Sequence, residues 1–293
     1  MRKLCVFLSV FIFTSLYAAK ISWESAREVA PGVKKVEISR KKPRIQKIFI
    51  LRVDMKTPGM KITINDKDAD FGKPMPDCPE MNIVTKRQRT ADFLMECRKN
   101  QMNMIVAANA APWRPWKKPF NHKYAYPSGV MIKDGEVICD SGNHGAVFVV
   151  TRDGRMFIEN ESIEIDTGDI AVAVSGFHVM LKNGKKIEIK DNAFHPRMAY
   201  GISRNGRYLY LLAVDGRQKG YSMGMTVNEL ADILLEAGAS EGINMDGGGS
   251  TTLVYFDQRK KKPVVLNRHD PKGSYYRTVA SSIGIYIDKK SRR

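Results

Sequence analysis

Residues 199–214, AYGISRNGRYLYLLAV, decide the fold of this chain. Two runs of strand-forming residues, 199–203 and 208–214, flank the pair Asn205-Gly206. Asn-Gly supplies the positive φ angles that a two-residue hairpin turn requires, so the stretch predicts two antiparallel strands joined by a tight turn.

The same turn chemistry recurs three more times between apolar runs. The pairs are Asp134-Gly135, Asp153-Gly154 and Asn183-Gly184. Further strands are predicted at Val33 to Ser39, Ile45 to Met55, Lys61 to Ile64 and Gly284 to Ile287. Successive hairpins indicate a large, mainly antiparallel sheet.

Helices are few in this pattern. One is predicted from Val227 to Ala237, because Thr226 and Glu229 form a capping box before it and Gly238 follows as a stop. A second is predicted between Val84 and Lys99, where apolar residues share one face. The fold class is therefore α+β: a large, mainly antiparallel sheet built of successive hairpins, with a few helices packed on it.

The first nineteen residues are typical of a secretory signal peptide. Arg2 and Lys3 precede an apolar run from Leu4 to Leu16, and small residues suitable for cleavage end at Ala19. The run is shorter than a membrane-spanning helix needs, although a retained signal anchor is the alternative. We therefore expect an exported, secreted or periplasmic protein. Residues 20–293 are expected to form one domain, with N-terminal strands and a helix in 20–99 and the motif-bearing core in 100–288.

The chain is strongly basic. It has 293 residues, 48 Lys and Arg against 31 Asp and Glu, and a net charge of +17. This excess favours an anionic partner such as an acidic glycan or a phosphate ester. Nucleic acid is not expected, because no aromatic-basic motif of the familiar kinds is present. The basic runs Arg259 to Lys262 and Lys289 to Arg293 are most simply solvated loops, with membrane-surface contact as an alternative.

Neither a disulfide framework nor a metal centre is indicated. Cys78, Cys97 and Cys139 remain after signal cleavage, and three cysteines allow at most one bridge within the chain. The five histidines are scattered and show no metal-ligand spacing. We predict no cofactor, with a divalent metal kept as an alternative.

The densest cluster of special residues lies between Gly242 and Leu253. A short apolar strand ends in Asn244 and the carboxylate Asp246, followed by Gly247, Gly248, Gly249, Ser250 and Thr251. Consecutive glycines allow backbone amides to turn inward and cradle an anion. The alternative is a glycine-rich turn between two strands.

Other polar residues stand at the ends of predicted strands. His195 and Arg197 precede one strand, and Asp215 and Arg217 follow another. Loops at strand ends commonly carry chemistry on a rigid scaffold. Singly, however, a histidine such as His195 is more often a surface or capped residue, an aspartate such as Asp215 a turn residue, and an arginine such as Arg217 a solvated cation.

Asn109 ends a strongly apolar run and is followed by two tryptophans, Trp113 and Trp116. A polar side chain in this position either bonds to the backbone in the core or faces a site. The tryptophans either form a stacking wall for a sugar or pack within their loop.

Together these residues resemble the phosphodiester glycosidase domain family over about residues 100–288. The matching motifs, in order, are Asn109, Arg197 to Gly201, Val214 to Arg217, Gly224 to Thr226 and Asn244 to Thr251. Two departures are visible: Asn109-Ala110-Ala111 replaces Asn-Gly-Gly, and Arg197-Met198 replaces Arg-Thr. The first alters the expected pocket wall, so the resemblance supports the reaction class more firmly than the substrate.

The resemblance implies hydrolysis of a sugar-1-phosphodiester at the anomeric C–O bond. It suggests Asp246 as nucleophile or base and Asp215 as a second carboxylate. A phosphate clamp is expected from Arg197 and the amides of Gly247 to Ser250, and His195 is a candidate proton carrier. The full predicted substrate-binding set is Asn109, His195, Arg197, Arg217, Asn244, Gly247, Gly248, Gly249, Ser250, Thr251 and Arg277.

Two other functions remain open from the sequence. One is a non-catalytic module that binds an anionic cell-surface polysaccharide, as in exopolysaccharide assembly. Two retained carboxylates argue against it, because a polyanion site gains nothing from buried negative charge. The other is a metal-dependent phosphodiesterase that uses Asp215, Asp246 and His195.

Overall fold

The computed structural model describes residues 21–117, 121–142, 145–160, 166–270, 272 and 276–288. The predicted signal peptide, residues 1–19, and the basic run 289–293 lie outside the described residues. Within the described ranges, no helix has the length and apolar character needed to cross a bilayer.

The described chain is built mostly of strands, with two α-helices and two 3-10 turns. The helices are α1 (Thr90–Lys99) and α2 (Val227–Ala237), and the 3-10 turns cover Thr167–Asp169 and Gly248–Ser250. The strands are β1 (Arg27–Ala30), β2 (Val33–Arg40), β3 (Gln46–Asp54), β4 (Met60–Ile64), β5 (Pro74–Met75), β6 (Cys78–Asn82), β7 (Thr85–Lys86), β8 (Met104–Asn109), β9 (Trp113–Arg114), β10 (Tyr124–Pro127), β11 (Val130–Lys133), β12 (Glu136–Asp140), β13 (Ala146–Thr151), β14 (Met156–Asn160), β15 (Ile170–Ser175), β16 (His178–Lys182), β17 (Lys185–Lys186), β18 (Arg197–Ser203), β19 (Tyr208–Val214), β20 (Ala239–Asn244), β21 (Leu253–Asp257), β22 (Lys262–Val265) and β23 (Ser282–Ile287).

All four predicted hairpins are confirmed. Strands β18 and β19 pair antiparallel, from Arg197 opposite Val214 to Ile202 opposite Leu209, around the Asn205-Gly206 turn. The other Asp-Gly and Asn-Gly turns join β11 to β12, β13 to β14 and β16 to β17. Local turn chemistry alone therefore fixes these four connections.

The expectation of one large sheet is wrong. The strands divide into an eight-stranded sheet, ordered β1-β2-β3-β19-β18-β20-β16-β17, and two five-stranded sheets, β22-β21-β8-β23-β4 and β12-β11-β15-β13-β14. Two smaller sheets, β7-β10-β9 and β5-β6, lie beside them. Every pairing among the described strands is antiparallel, as predicted. Large open sheets tend to split into packed layers, because layers bury apolar faces that a single sheet would expose.

The core shows why the chain needs several layers. In β19, alternate residues Leu209, Leu211 and Ala213 pack into a core shared by the three large sheets. The residues between them, including Leu212 and Val214, pack under α2. Because side chains alternate across a strand, the continuous apolar run of β19 is buried on both faces.

Helix α2 has the predicted bounds, and both hydrogen bonds of its capping box are present. Helix α1, Thr90–Lys99, lies within the window predicted between Val84 and Lys99 and fills only its second part. Thr85 and Lys86 instead pair with Ala125 and Tyr124 as strand β7. This pairing partner lies almost forty residues away, and the local apolar pattern contains no trace of it.

Residues 20–99 and 100–288 contribute to the same sheets. Strand β3 pairs with β19 in the eight-stranded sheet, and β4 pairs with β23 in a five-stranded one. Cys78, Cys97 and Cys139 are all free thiols.

Asn109, the last residue of β8, connects two of the sheets. Its side chain is fully buried, its Nδ2 donates to the carbonyl of Asp246 (2.8 Å), and its Oδ1 accepts from the amide of Thr252 (2.9 Å). Its own carbonyl accepts the hydroxyl of buried Tyr200 (2.6 Å). Of the two alternatives for Asn109, backbone bonding in the core is therefore correct, and the bonds it makes fix both ends of the segment 246–252.

Replacement of Asn109 by Ala is expected to lower the free energy of unfolding by about 3 kcal/mol, because two buried backbone groups lose their partner. Urea unfolding followed by circular dichroism measures the change. Asn82→Ala, at the exposed end of β6, is the matched control and should stay within about 0.5 kcal/mol of the unsubstituted protein. Equal losses in the two variants would contradict the role assigned to Asn109.

Candidate active site

The loops that follow β19 and β20 and the segment that precedes β18 meet at one cleft. Its volume is about 240 Å³. The residues that line it include Asp215, Arg217, Gly248, Thr251, His269 and Arg277. The structure therefore brings six of the thirteen predicted site residues to the lining of one cleft, although they lie up to 62 positions apart along the chain; they are Asp215, Arg217, Gly248, Gly249, Thr251 and Arg277.

Asp246 begins the glycine-rich loop, directly after β20. Its residue surface is partly exposed, but Oδ2 is buried and has no hydrogen-bond partner among the described atoms. Burial raises the pKa of Asp246 to about 6, against the opposing effects of the Ser250 hydroxyl and the Arg277 charge. The carboxyl thus titrates near neutral pH, where small changes in its surroundings decide its charge.

Several buried polar atoms around this loop lack a partner in the described structure. They are Asp246 Oδ2, Asn244 Oδ1, Ser250 Oγ, Thr251 Oγ1, His269 Nδ1 and Trp113 Nε1. Buried polar groups are nearly always hydrogen-bonded in native proteins. A concentration of unpartnered groups beside one carboxylate is what a binding site for a hydroxyl-rich or water-bearing ligand presents.

Two of the four amides predicted to cradle an anion, those of Gly248 and Ser250, are bonded within the protein. The Gly248 amide donates to the Pro196 carbonyl (2.8 Å), and the Ser250 and Thr251 amides donate to Gly247 and Gly248 carbonyls (3.1 and 3.3 Å). These donors are therefore already used within the protein.

The glycines instead make room for two guanidinium groups. A Cβ on Gly248 would lie 3.2 Å from Nη1 of Arg217, and a Cβ on Gly249 would lie 2.6 Å from Nη2 of Arg277. Both arginine side chains therefore rest against bare backbone, where a side chain would displace the guanidinium groups.

Arg217 and Arg277 are a cationic pair at the cleft. Within the described ranges, neither forms an ion pair with a carboxylate; Arg217 donates to His195, and Arg277 lies over the Trp116 ring at 5.0 Å. Burial, then the charges of Arg277 and Arg197, lower the pKa of Arg217, so the cations repel one another. Such a pair is stabilised by any anion placed between its members.

The two tryptophans extend this wall. Trp113 is buried and makes an edge contact with exposed Trp116, with ring centroids 5.1 Å apart. Trp113 also acts on the carboxyl of Asp246, whose pKa it lowers. The pair therefore connects Asp246 to Arg277, and Trp116 lies at the surface.

Arg197, predicted as part of the phosphate clamp, is used elsewhere. Its side chain is buried; Nη2 donates to Asp191 Oδ2 and the Ala193 carbonyl (both 2.8 Å), and Nε donates to the Met225 carbonyl (3.0 Å). The structure does not bring its guanidinium together with the glycine amides. Arg197 holds the loop before β18 in place.

Asp215 lines the cleft but is tightly held. Its Oδ1 accepts from the Arg268 amide (2.8 Å), and its Oδ2 accepts from the Tyr221 hydroxyl (3.0 Å). Burial raises the pKa of Asp215 to about 6, and these hydrogen bonds oppose the shift. Asp215 thus anchors the loop that carries Asn267, Arg268 and His269.

Sequence reasoning missed His269, Tyr221 and Arg268. Nε2 of His269 lies 3.0 Å from Thr252 Oγ1, its ring packs on Tyr276 at 4.7 Å, and burial lowers its pKa to about 4. No spacing or motif marks these residues: His269 and Arg268 reach the cleft through the pairing of β21 with β22, and Tyr221 acts on it through its hydrogen bond to Asp215. Among the described residues, no three His, Cys, Asp or Glu side chains are grouped so that they could hold a metal ion.

Solved structures show where this fold recurs. The catalytic domain of zebrafish N-acetylglucosamine-1-phosphodiester alpha-N-acetylglucosaminidase, auto-inhibited by its pro-peptide, aligns with a TM-score of 0.61 at 18% identity, covering 90% of this chain and 86% of that one. A hypothetical protein from Synechocystis aligns with a TM-score of 0.55 at 14% identity, covering 88% of this chain and 62% of that one. At these identities the likeness shows a shared fold.

Sequence comparison adds a family. Residues 103–286 match the model of the phosphodiester glycosidase family. N-acetylglucosamine-1-phosphodiester alpha-N-acetylglucosaminidases of Mus musculus and Bos taurus are each 27% identical over 148 residues, 43% of this chain and 28% of theirs. The match thus spans just over a quarter of those relatives. Because the family model covers well over half of the chain, including the cleft and its glycine-rich loop, the protein belongs to the phosphodiester glycosidase family.

Proposed function

We propose that the protein hydrolyses a sugar-1-phosphodiester at the anomeric carbon–oxygen bond and releases a free sugar and a phosphomonoester. The observation that carries this proposal is the pair Arg217 and Arg277, held against Gly248 and Gly249 without carboxylate partners in the described structure. Asp246 lies at the start of the same loop, with its pKa raised to about 6. A cationic clamp beside a carboxylate is what this bond cleavage needs.

The clamp acts on the leaving group. Guanidinium groups bind phosphate oxygens through paired N–H donors, and their charge stabilises negative charge that builds up on the leaving phosphate. A phosphomonoester has a second pKa near 6, so it departs with little protonation. The site therefore has less need of a general acid than a glycosidase acting on a sugar alcohol.

Asp246 serves the sugar side of the bond. Its Oδ2 is buried, and the Ser250 hydroxyl and Trp113 beside it lower the pKa of the carboxyl, so these two groups hold the carboxylate that we assign to the anomeric carbon or to a water molecule. Both the nucleophile role and the base role require the ionised form. Asp215 is a less suitable second carboxylate, because both of its oxygens already accept hydrogen bonds; we assign it to holding the loop around Arg268.

The remaining side chains suit a sugar. Trp116 presents an exposed ring, and the buried hydroxyls of Ser250 and Thr251 lack partners in the described residues. Aromatic faces pack against the apolar face of a sugar ring, and hydroxyls bond to its edge.

The substrate is therefore a phosphorylated or otherwise anionic glycan, encountered outside the cell if residues 1–19 act as a signal peptide. The net charge of +17 raises the local concentration of such a polymer by long-range attraction. Contact of the basic run 259–262 with an anionic membrane surface is part of the same proposal. Such contact predicts an association of the protein with the membrane that weakens as salt is added, and it does not contribute to substrate specificity.

Substitution of Arg217 or Arg277 by Met should lower kcat/KM for an N-acetylglucosamine-1-phosphodiester about 10²–10³-fold, since each removes a donor to the leaving group. Steady-state kinetics provide the measurement. Arg207→Met is the matched control, because Arg207 pairs with Asp54 at the turn between β18 and β19. If both cleft variants kept full activity, the clamp would be excluded.

Asp246→Asn should lower kcat about 10²–10⁴-fold, because the amide can act neither as nucleophile nor as base. The products are to be identified in the same assay. Asp232→Asn, on the surface of α2, is the control for the substitution.

Free reducing sugar supports cleavage at the anomeric carbon. Sugar-1-phosphate as the product, together with activity that a chelator removes and a divalent ion restores, would show a metal-dependent phosphodiesterase. Binding of the diester without any turnover would favour a non-catalytic binding module.

Activity should fall as the pH falls through about 6. Burial raises the pKa of Asp246 above its ordinary value, so the active ionised form is lost at a higher pH than for an exposed aspartate. The pH profile of kcat/KM measures this acid limb. Since the pKa of Asp215 is also about 6, the residual activity of Asp215→Asn should show the same limb. If the Asp215→Asn variant lost this acid limb, the group that titrates would be Asp215 and not Asp246.

A further inference from the structure

Three loop segments are locked together around His195. Its amide donates to the Met225 carbonyl (3.2 Å), and the Met225 amide donates to the His195 carbonyl (3.1 Å). A Cβ on Gly224 would lie 2.5 Å from the His195 carbonyl oxygen, and one on Gly216 would lie 2.5 Å from the Pro196 nitrogen. The backbone of His195 therefore has a fixed position relative to the residue that follows Gly216, which is Arg217.

Arg217 is held in an uncommon conformation at this junction. Its φ angle is +58°, in the left-handed region that non-glycine residues rarely adopt. Such conformations persist only where surrounding contacts impose them, and they concentrate at functional sites. One of these contacts joins the side chains: Arg217 Nε donates to His195 Nδ1 at 3.2 Å.

This hydrogen bond fixes the protonation state of the imidazole. A guanidinium N–H can only donate, so Nδ1 of His195 must carry no proton. In the neutral ring the single proton then lies on Nε2. A doubly protonated imidazolium offers no acceptor and would place an N–H against the N–H of Arg217.

The charges that face His195 favour the neutral ring. Burial, followed by the charges of Arg217 and Arg197, lowers the pKa of His195, and the Phe194 backbone and Asp191 oppose the shift. Since Arg277 in turn faces Arg217, protonation of His195 would add a further positive charge to a group of three arginines. The hydrogen bond is thus present at neutral pH and is lost as the pH falls through the lowered pKa.

We propose that His195 is a positioning residue: by accepting the Nε proton of Arg217 it holds that guanidinium against Gly248, with Nη1 and Nη2 directed to the cleft, so that anion binding requires the neutral imidazole. This role differs from the proton carrier expected for His195 from the sequence. It rests on the proposed function only in taking the cleft to bind an anion. Acid then weakens anion binding, although protonation of a histidine ordinarily strengthens it.

Sulfate is a suitable probe, because it stays dianionic over the whole range in which His195 titrates. Its affinity is to be measured by calorimetry, at pH values between about 4.5 and 8, for the unsubstituted protein, His195→Asn and His195→Leu. Asn places an acceptor oxygen near the position of Nδ1, whereas Leu keeps similar volume without an acceptor. We expect His195→Leu to bind sulfate about 10-fold more weakly at pH 7.5, and His195→Asn to recover most of the loss.

The pH dependence separates positioning from a structural role. The unsubstituted protein should lose affinity in acid relative to His195→Asn, whose oxygen cannot be protonated. Asp246, Asp215 and Asp191 titrate in both proteins, so the difference between the two curves isolates the imidazole. Identical curves of sulfate affinity against pH for the unsubstituted protein and His195→Asn would overturn the proposal. If His195→Leu fails to fold, the comparison of these two proteins still tests it.

A double-mutant cycle tests the coupling to Arg217 directly. In an Arg217→Met background, the His195→Leu change should have no further effect on sulfate affinity; an undiminished effect would overturn the proposal. His178→Asn, at an exposed histidine on β16, is the control and should bind like the unsubstituted protein. Sulfate binding that depends on His195 in a protein without hydrolase activity would refute the proposed function and leave this inference standing. Hydrolysis of the diester by a protein whose sulfate affinity does not depend on His195 would support the proposed function and refute this inference.

Discussion

The site depends on one buried amide. Asn109 bonds through Nδ2 to the Asp246 carbonyl and through Oδ1 to the Thr252 amide, so a single side chain fixes where the glycine-rich loop leaves one sheet and enters the next. Tyr200, fully buried in the shared core, bonds to the carbonyl of the same residue. Five residues, 247–251, lie between these two fixed points, few enough that the course of the loop is largely determined. The position of Asp246 is consequently set by the packing of sheets rather than by the loop itself.

That rigidity allows the site to hold groups that repel or destabilise one another. Arg217 and Arg277 share a cleft without a carboxylate partner in the described structure, Arg217 has a left-handed backbone, and the pKa of Asp246 is raised by burial. Each feature costs folding free energy, and the cost is tolerated because three sheets enclose a common apolar core. A bound phosphodiester would reverse part of this cost, since its charge lies between the two cations and its sugar hydroxyls meet the unpartnered groups. The folding free energy that these groups cost the free protein would thereby contribute to its affinity for the proposed substrate.

The sequence predicts what short-range chemistry determines. The four hairpins follow from Asn-Gly and Asp-Gly pairs, and α2 follows from the capping box of Thr226 and Glu229. Long-range pairing explains what the sequence does not show: Thr85 and Lys86 join β10 just before α1, and β8 pairs with β21 and β23 to form a sheet separate from β18 and β19. In the site, the order of motifs indicates Asp246, Arg217 and Arg277. It cannot reveal that Arg197 pairs with Asp191, that Tyr221 bonds to Asp215, or that His269 reaches the cleft, because no motif marks these contacts and the last arises only when distant loops meet.

The structure assigns a different role to the run Asp246-Gly247-Gly248-Gly249 than its pattern suggests. By pattern it suggests a cradle of amides around an anion, yet the Gly248 amide is bonded to Pro196 and the amides of Ser250 and Thr251 to carbonyls of the loop. What the missing side chains provide is space: a Cβ on Gly248 would contact the Arg217 guanidinium, and a Cβ on Gly249 would overlap that of Arg277. Charged guanidinium groups reach further and bind phosphate more strongly than neutral amides, and they can be oriented by neighbours such as His195. A glycine-rich loop in this fold therefore supports the side chains that would bind the anion, and its specificity lies in the residues that rest on it.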